Sequence, residues 1–441
     1  MNNEKELGEI EQKINKLVDD FYEIKHKTPE FIPGISMVNV SGKVFDSNEL
    51  KELIRASLDF WLTDGDFCEE FSNKMSNFMG LKHVSLVNSG SSANLVALSS
   101  LTSDKIKNPI KKGSEVVTAA VGFPTTVNPI FQNNLVPVFV DSEIGTYNPT
   151  ADKIIDACTD ETSVIFLAHT LGNPLEISKI KDFANEKNIY IIEDNCDALG
   201  SKYDNQLTGT FGNISTLSFY PAHHITMGEG GAVMTNSNSL RRSIESFRDW
   251  GRDCWCKSGH DNTCNKRYDW KLGDLPQGYD HKYIYSNIGY NLKATDLQAS
   301  IGNVQIEKLN DFVEKRKKNW SEINKIILSY DQFFINHKPT ENSDPSWFGY
   351  AITVKKNKYF DRNTLVKFLN DHRIATRLLF GGNILRQPAY LNMNVKVNGT
   401  LDNADKVVDS TFWIGVYPGI NQEMIEYVKE VFEKFITTYV K

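Results

Sequence analysis

Two adjacent histidines, His223 and His224, lie in a short polar segment between two apolar runs. The segment covers residues 218–231, and the flanking runs, 214–220 and 232–235, are typical of short buried strands. An imidazole has an unperturbed pKa of about 6.5, so it can take up and release protons near neutrality. An ordinary polar turn residue is the plainer interpretation of either histidine. The segment is therefore a candidate site of acid–base chemistry, and it contains no lysine.

Four of the six cysteines form a second group of residues with chemical potential, Cys196, Cys254, Cys256 and Cys264. Fifty-seven residues separate the first from the second, one separates the second from the third, and seven separate the third from the fourth. Four cysteines can hold an iron–sulfur cluster or zinc. This spacing is that of neither the usual zinc ribbons nor plant-type ferredoxins. A cluster, a zinc staple and plain reduced thiols all remain open from spacing alone.

Further polar groups follow predicted strands at the points where ligands bind in parallel sheets. Gly90 and Ser91 lie between a strand and a helix, where free backbone N–H groups favour a phosphate; an ordinary helix cap is the alternative. Asp194 ends a strand, so its carboxylate should face the same edge, although it could also cap a helix. Phe123 and Ser218 also follow or end strands, and a core position is the simpler role for Phe123.

The elements that must position these groups alternate between apolar strands and helices. Strands are predicted over residues 83–87, 116–120, 136–141, 164–168 and 189–194. Continuous apolar strands with helices between them predict an α/β fold with a mainly parallel sheet covered on both faces.

Three regions are predicted along the chain. Residues 1–60 form an N-terminal helical segment, and 61–310 form a large cofactor-binding domain with a Cys-rich insertion at 250–285. Residues 311–441 form a smaller α+β domain, with a strand at 350–354 and helices at 362–370 and 422–440.

Composition excludes several classes of protein. The 441 residues carry a net charge of −7, which argues against a nucleic-acid-binding surface. The polar N-terminus has no apolar signal core, and no apolar run approaches the roughly 20 residues of a membrane helix. We therefore expect a soluble, cytoplasmic protein.

The segment 218–231 resembles the Schiff-base segment of the DegT/DnrJ/EryC1/StrS sugar aminotransferases, which use pyridoxal phosphate. The resemblance implies the fold-type I fold of these transferases and a homodimer with shared active sites. In the family, the position of His223 is the lysine that binds the cofactor covalently, whereas an imidazole cannot do so stably. The resting cofactor is then expected to be pyridoxamine phosphate, held by non-covalent contacts.

The same resemblance implies roles for the other candidates. Gly90, Ser91 and Ser218 would hold the cofactor phosphate, Phe123 would stack on its ring, and Asp194 would pair with the pyridine nitrogen. Asn287 would reach the phosphate of the neighbouring subunit. The substrate cleft would include Arg377 and Arg386. Most of the family has glutamine at the position of Asp197, whose role stays open.

Histidine for lysine, combined with the cysteine pattern, is similar to one branch of the family. Its members remove the C3 hydroxyl of CDP-4-keto-6-deoxy-D-glucose during synthesis of the 3,6-dideoxyhexoses of lipopolysaccharide O-antigens. The resemblance implies His223 as the proton-transfer residue and a [2Fe–2S] cluster on Cys196, Cys254, Cys256 and Cys264. It also implies a separate NADH-dependent reductase as electron donor.

Two alternatives remain. The first is a cluster-free dehydratase similar to the GDP-4-keto-6-deoxymannose 3-dehydratases, which also have histidine for lysine. The second is a non-catalytic, zinc-stapled protein built on the aminotransferase fold.

Overall fold

The structure, a computed structural model, describes residues 2–27, 29–256 and 258–441. Its helices are α1 (Asn2–Lys25), α2 (Ser47–Asp59), α3 (Asp66–Met79), α4 (Gly90–Ser100), α5 (Pro124–Gln132), α6 (Ala151–Asp156), α7 (Ile177–Lys187), α8 (Asn238–Arg248), α9 (Asp296–Gln305), α10 (Leu309–Leu328), α11 (Arg362–Asp371), α12 (Asp402–Ser410) and α13 (Gln422–Tyr439). Its strands are β1 (His83–Val87), β2 (Glu115–Ala119), β3 (Val136–Val140), β4 (Thr162–Ala168), β5 (Tyr190–Asp194), β6 (Lys202–Tyr203), β7 (Gln206–Leu207), β8 (Ile214–Ser218), β9 (Gly231–Thr235), β10 (Phe334–Asn336), β11 (Ser343–Asp344), β12 (Gly349–Val354), β13 (Lys396–Val397) and β14 (Thr411–Gly415).

The large sheet has the strand order β1-β9-β8-β5-β4-β2-β3-β13. Strand β9 pairs antiparallel with both of its neighbours, and the other strand pairs are parallel. The predicted mainly parallel sheet is therefore confirmed. Strands β1, β8, β5, β4 and β2 all end at the same edge, where the candidate residues follow them.

Helices cover both faces of this sheet because successive apolar residues of each central strand point to opposite sides. Val116 packs with α4, α5 and α8, whereas Val117 packs with α6 and α7. In β4, Phe166 packs on the first of these faces and Leu167 on the second. A strand that is covered on both faces needs apolar residues at every position, which explains the continuous apolar runs.

A second core surrounds the antiparallel sheet β10-β12-β14, which α10, α11 and α13 cover. Helix α10 joins the two cores. Phe312 and Val313 near its start pack with residues of the large sheet region, whereas Ile323 and Ile327 pack in the second core. The domain limits at residues 60 and 310 stay predictions.

The sequence predicts helices over residues 95–101 and 294–309, and the structure differs from both predictions in the limits. Helix α4 begins at Gly90 rather than at residue 95, because the hydroxyl of Ser89 accepts from the backbone N–H of Ser92 and caps it. The predicted helix at 294–309 is α9, which Thr295 and Gln298 start with a capping box, followed by the 3-10 turn Ile306–Lys308.

Among the described residues, no helix has both the length and the apolar character needed to cross a membrane.

His337 is a titratable group at the centre of the second core. Its ring is fully buried, lies against Trp347 and Tyr147, and accepts at Nδ1 from the backbone N–H of Ala351 at 3.4 Å. Burial lowers the pKa of His337 to about 3. The folded protein thus binds fewer protons here than the unfolded chain, so stability falls as the pH drops below the unfolded pKa of about 6.5.

We expect His337→Asn to weaken this pH dependence. Between pH 7 and pH 5 the wild-type protein should lose about 2 kcal/mol through this group, and the variant should not lose it. Urea unfolding at both pH values measures the difference. His260→Asn, at an exposed histidine, is the matched control and should behave like wild type. Equal pH dependence in all three proteins would contradict the assignment.

Candidate active site

A cavity of about 470 Å³ lies at the edge where the parallel strands end. It brings together residues predicted from distant parts of the sequence: Gly90, Ser91, Phe123, Asp194, Cys196, Ser218 and His223. They lie at or after the ends of four strands, β1, β2, β5 and β8, which the sheet brings side by side. The predicted crevice beyond the strand ends is therefore present.

The start of α4 and the end of β8 form a narrow cradle on one side of the cavity. A Cβ atom on Gly90 would lie 2.4 Å from Cβ of Ser218, so only glycine lets the two segments approach this closely. The free N–H groups of the first turn of α4 and the Ser218 hydroxyl are thereby available to the same ligand. Such a set suits a phosphate group.

Asp194 presents a carboxylate that several donors hold in place. Its Oδ2 accepts from Nδ2 of Asn94 at 2.8 Å and from Oγ1 of Thr126 at 2.7 Å, and its Oδ1 accepts from the N–H of Cys196 at 3.3 Å. The hydroxyl of Thr216 donates to Asn94 Oδ1 and so fixes the orientation of that amide. The carboxylate is therefore oriented before any ligand binds.

His223 lies in the loop between β8 and β9, with its ring against Phe348 at a centroid distance of 5.2 Å. Its Nδ1 is 3.6 Å from Oδ1 of Asp197. Burial lowers the pKa of His223 to about 4, and burial together with the charge of Asp194 raises the pKa of Asp197 to about 8. Neutral imidazole, the form that accepts a proton, is thus favoured near pH 7.

Several residues in this site were not found from the sequence. Asn94 and Thr126 hold Asp194, but each is one of several polar residues in its helix, so the sequence offers no signal that singles it out. Arg377 lines the cavity as expected, whereas Arg386 is not among the lining residues and pairs with Asp409 at 3.4 Å.

The four candidate cysteines lie at two separate places in the structure. The ligand atoms of Cys254, Cys256 and His281 lie within 4.8 Å of one another, and Cys264 Sγ is 3.5 Å from His281 Nε2. Within the described part of the chain, Cys196 is not a member of this group and instead lines the first cavity, at the ends of the parallel strands. His281 was missed because it lies outside the cysteine spacing.

Asn287 lies beside the cysteine segment. Its side chain donates to the Ser246 hydroxyl at 2.9 Å, and it lines a second cavity, of about 830 Å³, together with Cys254. It is not among the residues that line the first cavity in its own chain. Its expected contact with the neighbouring subunit's phosphate stays a prediction.

The family model of the DegT/DnrJ/EryC1/StrS aminotransferases matches residues 44–433. The chain belongs to this family. The chain is similar to the solved structure of Escherichia coli GDP-4-keto-6-deoxy-D-mannose-3-dehydratase with bound hydrated PLP. The TM-score is 0.81 and the sequence identity is 27%. The match covers 90% of this chain and 99% of that one. The predicted fold is thus confirmed.

Two family members share about half of their residues with this chain. The lipopolysaccharide biosynthesis protein RfbH of Salmonella typhimurium is 51% identical over 427 residues, which cover 97% of this chain and 98% of that protein. The dTDP-4-dehydro-2,6-dideoxy-D-glucose 3-dehydratase of Saccharopolyspora spinosa is 51% identical over 416 residues, which cover 94% and 90%.

The hydrogen bond from Thr126 to Asp194 predicts a stability effect. In Thr126→Val the buried carboxylate loses one donor, and the free energy of unfolding should fall by about 2 kcal/mol, as for other hydrogen bonds to charged groups. Thr125→Val is the matched control, because this half-buried neighbour has no side-chain hydrogen bond among the described residues. Urea unfolding of the cofactor-free protein at pH 7 measures both. Equal losses would show that the bond to Asp194 is unimportant.

Proposed function

We propose that this chain is a 3-dehydratase of a nucleotide-linked 4-keto-6-deoxy sugar and uses pyridoxamine phosphate. The observation that carries the proposal is His223, which lines the cavity at the strand ends and stands at the position where the resemblance implies the lysine of the family's aminotransferases. The segment 218–231 has no lysine to replace it. Two 3-dehydratases similar to this chain, the one from Saccharopolyspora spinosa and the solved one from Escherichia coli, support the same reaction class.

The cavity has the groups that this cofactor requires. The cradle of Gly90, Ser91 and Ser218 would hold the phosphate, and Asp194 would pair with the pyridine nitrogen. Phe123 is about half exposed, and its ring is nearly perpendicular to that of Phe380 at a centroid distance of 6.1 Å, so the exposed part of the ring would be available to cover the cofactor ring. When bound, pyridoxamine phosphate supplies an amine that reacts with the sugar ketone and a ring that accepts electron density.

His223 would carry the proton transfers in this cavity. Asp197 Oδ1 faces Nδ1 at 3.6 Å, and the tautomer that directs its Nδ1–H at this oxygen would leave Nε2 as the atom that accepts the proton. Phe348 restricts the ring on one side, so the imidazole is positioned by packing as well as by charge. The hydrogen bonds from Asn94 and Thr126 would keep the Asp194 carboxylate in place during these proton transfers.

We also propose a [2Fe–2S] centre on Cys196, Cys254, Cys256 and Cys264, fed by a separate NADH-dependent reductase. Such a centre passes electrons one at a time. One C3–OH group, one NADH and one proton would give one C3–H group, one NAD⁺ and one water. The clustered thiols support this proposal, because a cluster-free dehydratase has no evident use for them.

The proposed substrate, its nucleotide and the homodimer rest on the resemblance of this chain to its relatives. CDP-4-keto-6-deoxy-D-glucose is the proposed substrate, in lipopolysaccharide synthesis like that named for the Salmonella relative. The Saccharopolyspora relative, at equal identity, is named for a dTDP-linked sugar, so the nucleotide must be tested directly. A homodimer with shared active sites would give Asn287 its expected role.

Metal analysis distinguishes the proposal from its two alternatives. Protein purified without oxygen should contain about two iron and two sulfide per chain, with the visible spectrum of a [2Fe–2S] centre. Zinc instead of iron would favour the zinc-stapled protein. Neither metal would favour a cluster-free dehydratase of the GDP-4-keto-6-deoxymannose type, which is the second candidate.

The role of His223 predicts the behaviour of His223→Lys. The lysine amine should bind pyridoxal phosphate covalently, so the cofactor should resist dialysis, and C3 dehydration of the nucleotide sugar should be lost. His260→Lys, at an exposed position, controls for the added amine and should bind no cofactor covalently. Full dehydration by the His223 variant would remove this residue from the assigned role.

A further inference from the structure

Arg316 is a buried cation next to the loop that carries His223. It lies on α10 and is 1% exposed. Its Nη2 donates to the carbonyl oxygen of His223 at 3.1 Å. Its Nη1 donates to the carbonyl oxygen of Trp347 at 3.2 Å and to that of Phe348 at 3.5 Å. One planar group therefore ties the His223 loop to the segment 346–348.

Arg316 holds the backbone of two residues whose rings pack on each other. The imidazole of His223 lies against the ring of Phe348 at a centroid distance of 5.2 Å. The direction of a side chain depends on its backbone conformation, and the groups packed around it restrict it further. Hydrogen bonds from a charged donor are stronger than those from a neutral one. A shift of either backbone would weaken such a bond, so the guanidinium restrains the position of the imidazole.

The segment 346–348 is itself held in place by the second histidine of the polar segment. The carbonyl oxygen of Ser346 can only accept, so His224 donates to it from Nε2, at 2.6 Å. The N–H of Phe348 donates to the carbonyl oxygen of Leu171 at 2.9 Å. The next residue begins β12, which belongs to the second core. The support on which the His223 ring packs is therefore fixed by contacts on several sides.

Arg316 acts from behind the cavity. His223 and Phe348 line the cavity at the strand ends, whereas Arg316 is not among the described residues that line it. A ligand in that cavity would therefore meet the imidazole and not the guanidinium. Burying a cation is costly, and neutral donors would also satisfy backbone carbonyl oxygens. The charge itself therefore needs a reason.

The groups that face His223 act on its pKa in opposite directions. Burial lowers this pKa most, the charge of Asp194 raises it, and the charge of Arg316 lowers it further. The nearby carboxyl of Asp197 has a pKa raised by burial to about 8, so it is largely neutral near pH 7. Burial also keeps the neighbouring imidazole of His224 neutral, because it lowers the pKa of that ring. Arg316 therefore favours the neutral form of His223, which accepts a proton.

We propose that Arg316 is a positioning residue for His223, because it holds the backbone of His223 and of Phe348 at once. This inference deepens the proposed function and rests on the role given there to His223, but not on the nucleotide or the metal centre. A lysine would keep the charge and replace the planar fork with a point donor. Substitution can therefore separate the geometry of Arg316 from its charge.

Kinetics of two variants test the positioning role. Arg316→Lys keeps the charge and Arg316→Met removes it. Both should lower kcat about 100-fold and leave KM within about twofold, because a misplaced proton-transfer group slows the reaction without weakening substrate binding. The measurement is C3 dehydration of CDP-4-keto-6-deoxy-D-glucose, or of the dTDP-linked sugar if the wild-type protein prefers it.

Lys315→Met, at an exposed neighbour on the same helix, is the matched control and should keep the wild-type kcat. A wild-type kcat in Arg316→Lys would overturn the proposal, since the charge alone would then be sufficient.

A second measurement needs no enzymatic activity. With carbon-13 in the histidine rings, NMR titration gives the pKa of His223, whose signal is identified by its loss in His223→Asn. The chemical shift of this signal should change in both Arg316 variants, because the ring moves relative to Phe348. The pKa should rise in Arg316→Met, which lacks the cation, and stay near the wild-type value in Arg316→Lys. An unchanged signal from His169, buried beside Glu193, would show that each variant is folded.

The two measurements fail separately. If the wild-type protein dehydrates neither sugar, the proposed function is wrong, whereas the NMR signals still test whether Arg316 holds the imidazole. A wild-type chemical shift and pKa of His223 in folded Arg316→Met would refute the positioning role.

Discussion

The anchored carboxylate of Asp194 is the interaction on which the rest of the site depends. It joins the end of β5 to the first turns of α4 and α5 through Asn94 and Thr126. The same two helices carry the cradle of Gly90 and the N-terminal neighbour Phe123. A buried carboxylate needs such donors, because an uncompensated charge away from water is costly. The position of Asp194 therefore fixes the distance between its carboxylate and the cradle, the two groups proposed to hold opposite ends of the cofactor.

With histidine in place of lysine, the cavity would have to hold the proposed cofactor by non-covalent contacts alone. A covalently bound cofactor tolerates loose surroundings, whereas a cofactor held by contacts alone requires a preformed site. The close approach of Gly90 to Ser218 and the fixed amide of Asn94 meet this requirement. In the proposed function, His223 would have no covalent binding role and would be available for proton transfer.

Most strands and helices could be predicted from local sequence patterns, whereas only some residues of the site could. Strand β5 was predicted to end at Asp194, and it does, because a run of apolar residues reveals a buried strand. The start of α4 at Gly90 was missed, since Ser89 is a cap only in a particular backbone conformation. Asn94, Thr126 and His281 act through contacts between distant segments. Periodicity and spacing carry no information about such contacts, and the position of Cys196 away from the other thiols was equally hidden.

The two ends of the Cys-rich insertion at 250–285 lie side by side. Arg252 and Tyr285 form an antiparallel bridge at its base, and the carbonyl oxygen of Gly251 accepts from the N–H of Ser286 at 3.0 Å. At Gly251 a Cβ would lie 1.8 Å from the oxygen of Asn287, so the two backbones are in direct contact. The excursion therefore starts and ends at nearly the same point. An ancestral chain could have acquired or discarded it by a single local event, without altering the path of α8 before it or α9 after it.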